Sequence, residues 1–247
     1  NLYFSILTPF FLMISMRAVP APLTRTMSAL EQEFRNTQGC ERGQDEGNSE
    51  EHGHVEEIGD AVPGHEDELN RLQIEIDEEV LRLLATRQPV AADLRFILVA
   101  SRINTELERI GDLAVNISDN VHILAQQEPL KPLIDIPRMA DLTRQMVRLS
   151  LDAFVQADPL LAQTVIMTDD QVDALKDQIL RELLTYMMAD PRAIERAIAL
   201  ILIARHLERI ADHATNIAED VIYLIQGRDV RHPALTRQKP PLPATEA

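Results

Sequence analysis

Glu108, Asp112 and Asn116 are spaced four residues apart, and Glu208, Asp212 and Asn216 repeat them in the same order one hundred positions later. On an α-helix, positions i, i+4 and i+8 form one slowly drifting stripe, so each trio projects from a single helix face. Asn120 and Asp220 extend the two rows by another turn. Carboxylate and amide oxygens are hard ligands, suited to iron, zinc, manganese or magnesium ions. Two acids one turn apart repel by about 0.2–0.5 kcal/mol on a bare helix, and a bound cation would offset that cost in both copies. Ion pairing is the commoner use of such acids: Arg109 and Arg209 adjoin them, and Arg102 and Arg205 lie about a turn away. The repeated Asn neutralises nothing and is a mediocre helix former. Its recurrence points to a ligand or to an interhelical hydrogen bond.

Other chemistry is thinly represented. Glu51-x-x-His54 has the spacing of a di-iron carboxylate ligand pair, but it lies in a Gly-rich stretch where no helix would present it. No GxxxxGK phosphate loop is present, and no Ser/His/Asp set can be placed. His213 has Leu113 as its counterpart in the first copy and reads as a local feature.

The elements that carry these rows are helices. Met139, Leu142, Met146, Leu149, Ala153 and Phe154 fall on one stripe at helical spacing. Asp158-Pro159 and Asp190-Pro191 each end one helix and open the next, because Pro fits a first turn and not an interior. The last helix is expected from about Arg192 to Ile225, with Gly227 stopping it. Shifting the sequence by one hundred residues superposes Leu107, Ile110, Ala114, Ile117, Val121 and Leu124 on Leu207, Ile210, Ala214, Ile217, Val221 and Leu224. The expected fold is therefore all-α: two tandem antiparallel three-helix bundles, at 23–127 and 138–228.

The first copy lacks a clear first helix. The stretch 36–64, with "GCERGQDEGNSEEHGHVEE", has several Gly, few apolar residues and no helical period. It is expected to be unstructured or translated out of frame. The tail at 229–247 is Pro-rich and polar and is expected to be disordered. Residues 1–22 are apolar, but the run is short and lacks a basic leader, so no stable membrane insertion is expected.

Bulk composition narrows the partners. Lys and Arg number 24 against 40 Asp and Glu, a formal charge of −16 in 247 residues. Such a surface repels nucleic-acid phosphates and favours cations and basic protein patches. The single Cys40 permits no internal disulfide, which suits the cytoplasm.

The segments "LNRLQIEIDEEVLRLLATRQPVAADLRFILVASRINTELERIGDLAVNI" and "ERIADHATNI" resemble the PhoU family of phosphate-transport accessory proteins, over about 66–232. "RQPVAADLR" at 87–95 and the paired ERIxDxxxNI segments carry most of the likeness, with a fainter echo at 23–34 and none at 36–64. The resemblance implies two tandem three-helix bundles related by a pseudo-twofold, and a cytoplasmic homodimer. It further implies a non-enzymatic negative regulator of the phosphate-starvation response that links the importer's ATPase to a sensor histidine kinase. It implies multinuclear metal sites at Glu108, Asp112 and Asn116, and at Glu208, Asp212 and Asn216. The preceding helices could add Asp67 and Asn70, and Asp169, Asp170 and Asp173. Asp93 and Arg95 belong to the family's turn motif. Two other readings stay open: a carboxylate-metal helical-bundle oxidase, disfavoured by the i+4 spacing, and a helical adaptor without metal.

Overall fold

From Leu72 onward, apolar residues recur every three or four positions, and each run forms a helix. The computed structural model describes residues 70–231. The expectations for 1–22, for 36–64, for Asp67 and for the tail beyond 231 lie outside the described residues. Within them the chain forms five α-helices and no strand: α1 over 70–87, α2 at Ala92–Ala125, α3 at Asp135–Gln156, α4 at Pro159–Ala189 and α5 at Ile194–Gln226.

The breaks behave as their residues dictate. Asp158 caps α4, its carboxylate accepting from Leu160 N at 2.8 Å, with Pro159 in the first turn. Asp190 does the same for Arg192 N at 2.9 Å, over a 3-10 turn at Pro191–Ala193 that leads into α5. Gly227 ends α5 in the left-handed conformation, φ 64°. The turn between α1 and α2 is costlier: Gln88 and Ala91 have φ of 45° and 46° without being glycine. The amides of Asp93 and Arg95 hold it by donating to the carbonyls of Val90 and Ala91.

α3, α4 and α5 pack on one another as an antiparallel three-helix bundle. α1 and α2 form the described part of the first unit; Asn104 is buried between them, donating to Gln73 O at 3.1 Å and to Asp77 Oδ1 at 3.2 Å. The two copies of the apolar seam are equivalent. Ile103, Leu107, Ile110 and Ile117 on α2, and Ile203, Leu207, Ile210 and Ile217 on α5, are all fully buried. Each such side chain contributes about 1.5–3 kcal/mol of burial.

The helices that bear the acid rows are neighbours. α2 packs along α5, and the two run antiparallel: Arg95 reaches Leu224 O, Arg102 reaches Asp220, and Glu106 reaches His213. Phe96 of α2 also stacks on Phe154 of α3, ring centroids 5.7 Å apart. The connection between α2 and α3 is pinned to the second unit. Lys131 is buried in an ion pair with Glu182, and Arg196 donates to Glu128 O at 2.8 Å. The first residues after α5 are held as well: Arg231 pairs with Asp229 at 2.7 Å and with Asp220 at 3.6 Å. No helix among the described residues is long and apolar enough to cross a membrane.

Candidate functional site

The seam residues at Leu207, Ile210, Ala211 and Ala214 turn one face of α5 into the core, which leaves Glu208, Asp212 and Asn216 along the edge of that face. α4 lies beside α5 and supplies Asp169, Asp170 and Asp173. Here acids from two helices gather. Asp169 is partly buried, and that burial, together with Asp212, Asp173 and Asp170 nearby, pushes its carboxyl up to about 6. Burial also raises Asp212, as do the charges of Glu208 and Asp173. A face that raises its own carboxyl pKa values is one that favours a cation.

Part of that demand is met from within the chain. Lys176 Nζ, on α4, lies 3.1 Å from Glu208 Oε1 and 3.2 Å from Asp173 Oδ1, with Asp177 Oδ1 at 3.8 Å. Burial works against the ammonium, but its hydrogen bonds to Glu208 and Asp173 hold it above the ordinary lysine range. The expectation that these acids pair with Arg205 or Arg209 is thus replaced: the partner of Glu208 is a lysine from the facing helix, 32 residues away. Sequence spacing gave no sign of it, since the contact depends on how α4 and α5 pair.

The first row has different surroundings. Glu108 is half-buried and Asp112 exposed on α2, and among the described residues no Lys or Arg forms an ion pair with either. Arg109 turns instead to Glu106, at 3.5 Å, and Arg102 to Asp220, at 3.0 Å. Asn70 is half-buried at the first described position of α1.

The two asparagines also part company. Asn116 donates to the carbonyl of Asp112 in its own helix at 2.8 Å, and Asn120 to that of Asn116 at 2.7 Å. Asn216 crosses to α2 and donates to Glu106 Oε2 at 3.1 Å. The same oxygen lies 2.6 Å from His213 Nδ1, and a carboxylate can only accept, so the ring carries its proton there. Burial disfavours the Glu106 anion, yet the bonds from His213 and Asn216 and the charges of His213 and Arg109 hold its carboxyl below the usual range. Position 206, the counterpart of Glu106, is His206; its Nδ1 is buried without a hydrogen-bond partner among the described residues. Burial lowers His206, as do Arg209 and Arg205. Thus His213 joins the two units. Its only sequence signal was that it broke the repeat.

Asp220 leaves the row altogether. It is buried between the units, where burial raises its carboxyl against the opposing bond and charge of Arg102 and the charge of Arg231. Both arginines reach its Oδ1, which makes a charge lock between α2, α5 and the residues after α5.

The oxygen donors on the second face fit a hard cation in kind, and only in part by arrangement. Among the described residues no three His, Cys, Asp or Glu side chains converge as a metal-binding group. Asp173 and Glu208 converge on the lysine instead.

Comparison with known proteins matches this architecture. The family profile described as "PhoU domain" fits residues 51–121 and 136–221, more than half of the chain and one match per repeat. The chain is 45% identical over 175 residues to the phosphate-specific transport system accessory protein PhoU homolog of Pseudomonas aeruginosa, covering 70% of this chain and 72% of that protein. It is 45% identical over 176 residues to the protein of the same description from Aquifex aeolicus, covering 71% of this chain and 80% of that one. The crystal structure of PhoU from Pseudomonas aeruginosa superposes with a TM-score of 0.67 at 35% identity, over 86% of this chain and 97% of that one. The crystal structure of the phosphate transport system regulatory protein PhoU from Streptococcus pneumoniae shares the fold, with a TM-score of 0.72 at 22% identity, over 93% and 99% of the two chains. With two profile matches and relatives this similar over more than two thirds of their length, the chain belongs to the PhoU family.

Proposed function

We propose that this chain is an accessory protein of phosphate uptake that represses the phosphate-starvation response by docking. Its targets are the importer's ATPase and a sensor histidine kinase. The observation that carries the reading is the 45% identity to a phosphate-specific transport system accessory protein over 72% of that protein's length. The physical character of the molecule agrees. It is a body of long helices pinned across its units by Glu106–His213 and Asp220–Arg102, with a strong negative charge that would meet basic patches on partners. Nothing in this role asks for a catalytic group.

The acid rows belong to the same proposal as sites for divalent or trivalent metal, whether iron, zinc, manganese or magnesium. They supply oxygen donors on the outer edges of α2 and α5, where an ion would organise the docking surface and not a reaction. Homodimer formation in the cytoplasm is part of the reading.

The test is replacement. A bacterium deleted for its own accessory protein and carrying this chain should silence a phosphate-starvation reporter in phosphate-rich medium. A reporter that stays on, with the protein present and folded, would rule the reading out. Metal is tested separately, by elemental mass spectrometry of the purified chain beside a folded Glu108→Ala/Asp112→Ala/Glu208→Ala/Asp212→Ala variant. Metal absent from both after incubation with iron, manganese and zinc leaves the chain a metal-free adaptor.

A further inference from the structure

Side-chain bonds between α2 and α5 crowd into one half of their junction. Arg95 donates to Leu224 O at 3.3 Å and lies over the Tyr223 ring, 5.8 Å from its centroid. Arg102 pairs with the buried Asp220 at 3.0 Å, and Glu106 takes His213 and Asn216. Phe96 stacks on Phe154 at the same end. Arg231, beyond α5, folds back there and reaches Asp220 at 3.6 Å. One hundred positions along, Arg95, Arg102 and Glu106 correspond to Glu195, Leu202 and His206, while His213 and Asp220 correspond to Leu113 and Asn120. Among the described residues none of these counterparts makes a side-chain bond across the junction. Asn120 turns to its own helix, and His206 Nδ1 has no hydrogen-bond partner. What stands at that other end is the covalent connection. Residues 126–134 leave α2 beside the start of α5, where Arg196 donates to Glu128 O, and Lys131 ties the same stretch to Glu182 of α4.

We propose that the junction is a hinged clasp: the two units swing about the connection at 126–134, and the polar cluster of Arg102, Asp220, Glu106 and His213 fastens the opposite end. Polar bonds can be traded for bonds to water, whereas a tethered connection cannot part, so any opening starts at the fastened end. A few loop residues suffice to absorb such a swing. The latch is accessible from one side: Asp220 is 7% exposed and Arg102 46%. Once Arg102 lets go, Asp220 keeps only Arg231, and a carboxylate stripped of a partner is costly to hold in the closed, buried state. The balance then shifts toward the open form. That form presents the α2 and α5 surfaces that the closed form covers, so the clasp decides which face the molecule shows.

Two matched probes read the motion. Ile217 lies one turn from His213 and one from Asp220, on the α5 face turned to α2; its counterpart Ile117 stands in the same relation to Leu113 and Asn120, and both are fully buried. In the full-length chain carrying Cys40→Ser, Ile217→Cys and Ile117→Cys are made separately, and the rate at which a maleimide labels each thiol is measured. Asp220→Asn is expected to speed labelling at 217 about tenfold, the scale of losing one charged hydrogen bond, and to leave labelling at 117 near the parent rate. Arg102→Gln, at the exposed end of the same pair, is expected to do the same without disturbing a buried residue. Arg196→Met, which loosens the connection and not the clasp, should leave labelling at 217 unchanged. All variants are checked for folding by circular dichroism. Parent-like labelling at 217 in both Asp220→Asn and Arg102→Gln overturns the proposal, because the cluster would then fasten nothing. Equal acceleration at 117 and 217 also overturns it, since the units would be loosening as a whole and not swinging about one end. So does acceleration at 217 by Arg196→Met as large as that by Asp220→Asn.

Discussion

On α5, Glu208 leans on a lysine from α4, Asp212 shares its surroundings with Asp169 and Asp173 of that helix, and Asn216 reaches across to the other unit. On α2, Glu108 and Asp112 have no such cation among the described residues, and Asn116 bonds to its own helix. The residue types and the buried seam beneath are the same in both rows. What differs lies outside the motif, at Lys176, Glu106 and His213. A repeated motif therefore fixes which helix face carries oxygen donors. Its neighbours fix the charge balance on that face, and so what the donors are free to bind.

The seam offers the largest effect with which to test this comparison. Leu107→Ala and Leu207→Ala each empty a fully buried position below a row, and each should cost about 2–5 kcal/mol. Urea unfolding measures both; a loss at Leu107 much smaller than at Leu207 would break the claim that the rows rest on equivalent cores.

Next comes the junction between units. Glu106→Ala strands His213 and Asn216 beside a part-buried gap, with an expected cost of about 1–3 kcal/mol. His206→Ala, at the matching position on α5, removes a ring whose Nδ1 has no hydrogen-bond partner among the described residues and should cost less. A reversed order would show that the junction is not where the units are held.

A smaller effect belongs to pH. Asp169 is raised to about 6 in the folded chain from an ordinary 3.8, so between those values the folded state keeps a proton that the unfolded state releases. Stability of the metal-free protein should therefore fall as pH rises from about 4 to about 6 and remain lowered above it. Asp169→Asn should remove that part of the slope and melt higher than the parent at neutral pH, in melting curves recorded with chelator. A slope unchanged in the variant would show that the acids of α4 and α5 do not crowd one another.

The asparagines give the smallest difference. Asn216→Ala should lose about 1 kcal/mol with its bond to Glu106. Asn116→Ala should stay within about 0.5 kcal/mol, because alanine is the better helix former. Equal losses would mean that Asn116 has a partner across helices in solution.

Much of this molecule is legible before folding is considered, for a local reason. Asp158-Pro159, Asp190-Pro191 and Gly227 act on backbone groups within a few residues, so they mark helix ends by themselves. The period of the seam assigns each helix its buried face, and hence places Glu108, Asp112, Glu208 and Asp212 along its outer edge. The hundred-residue repeat carries the family likeness. Charge partners were not legible in this way. Arg102 and Arg109 stand where they could neutralise the rows by spacing, yet one pairs with Asp220 and the other with Glu106.

Lys176–Glu208, Glu106–His213 and Arg102–Asp220 join residues 32, 107 and 118 positions apart. Each depends on the register at which two helices lie side by side, and that register is set by the packing of whole seams and not by any residue in the pair. The sequence by itself determined the helices, their buried faces and the two rows of oxygen donors, because those follow from contacts within a turn or two. The tertiary structure alone decided which donors are already spent on a lysine, an arginine or the other repeat, because only the docking of α4 and α2 against α5 brings those groups within reach.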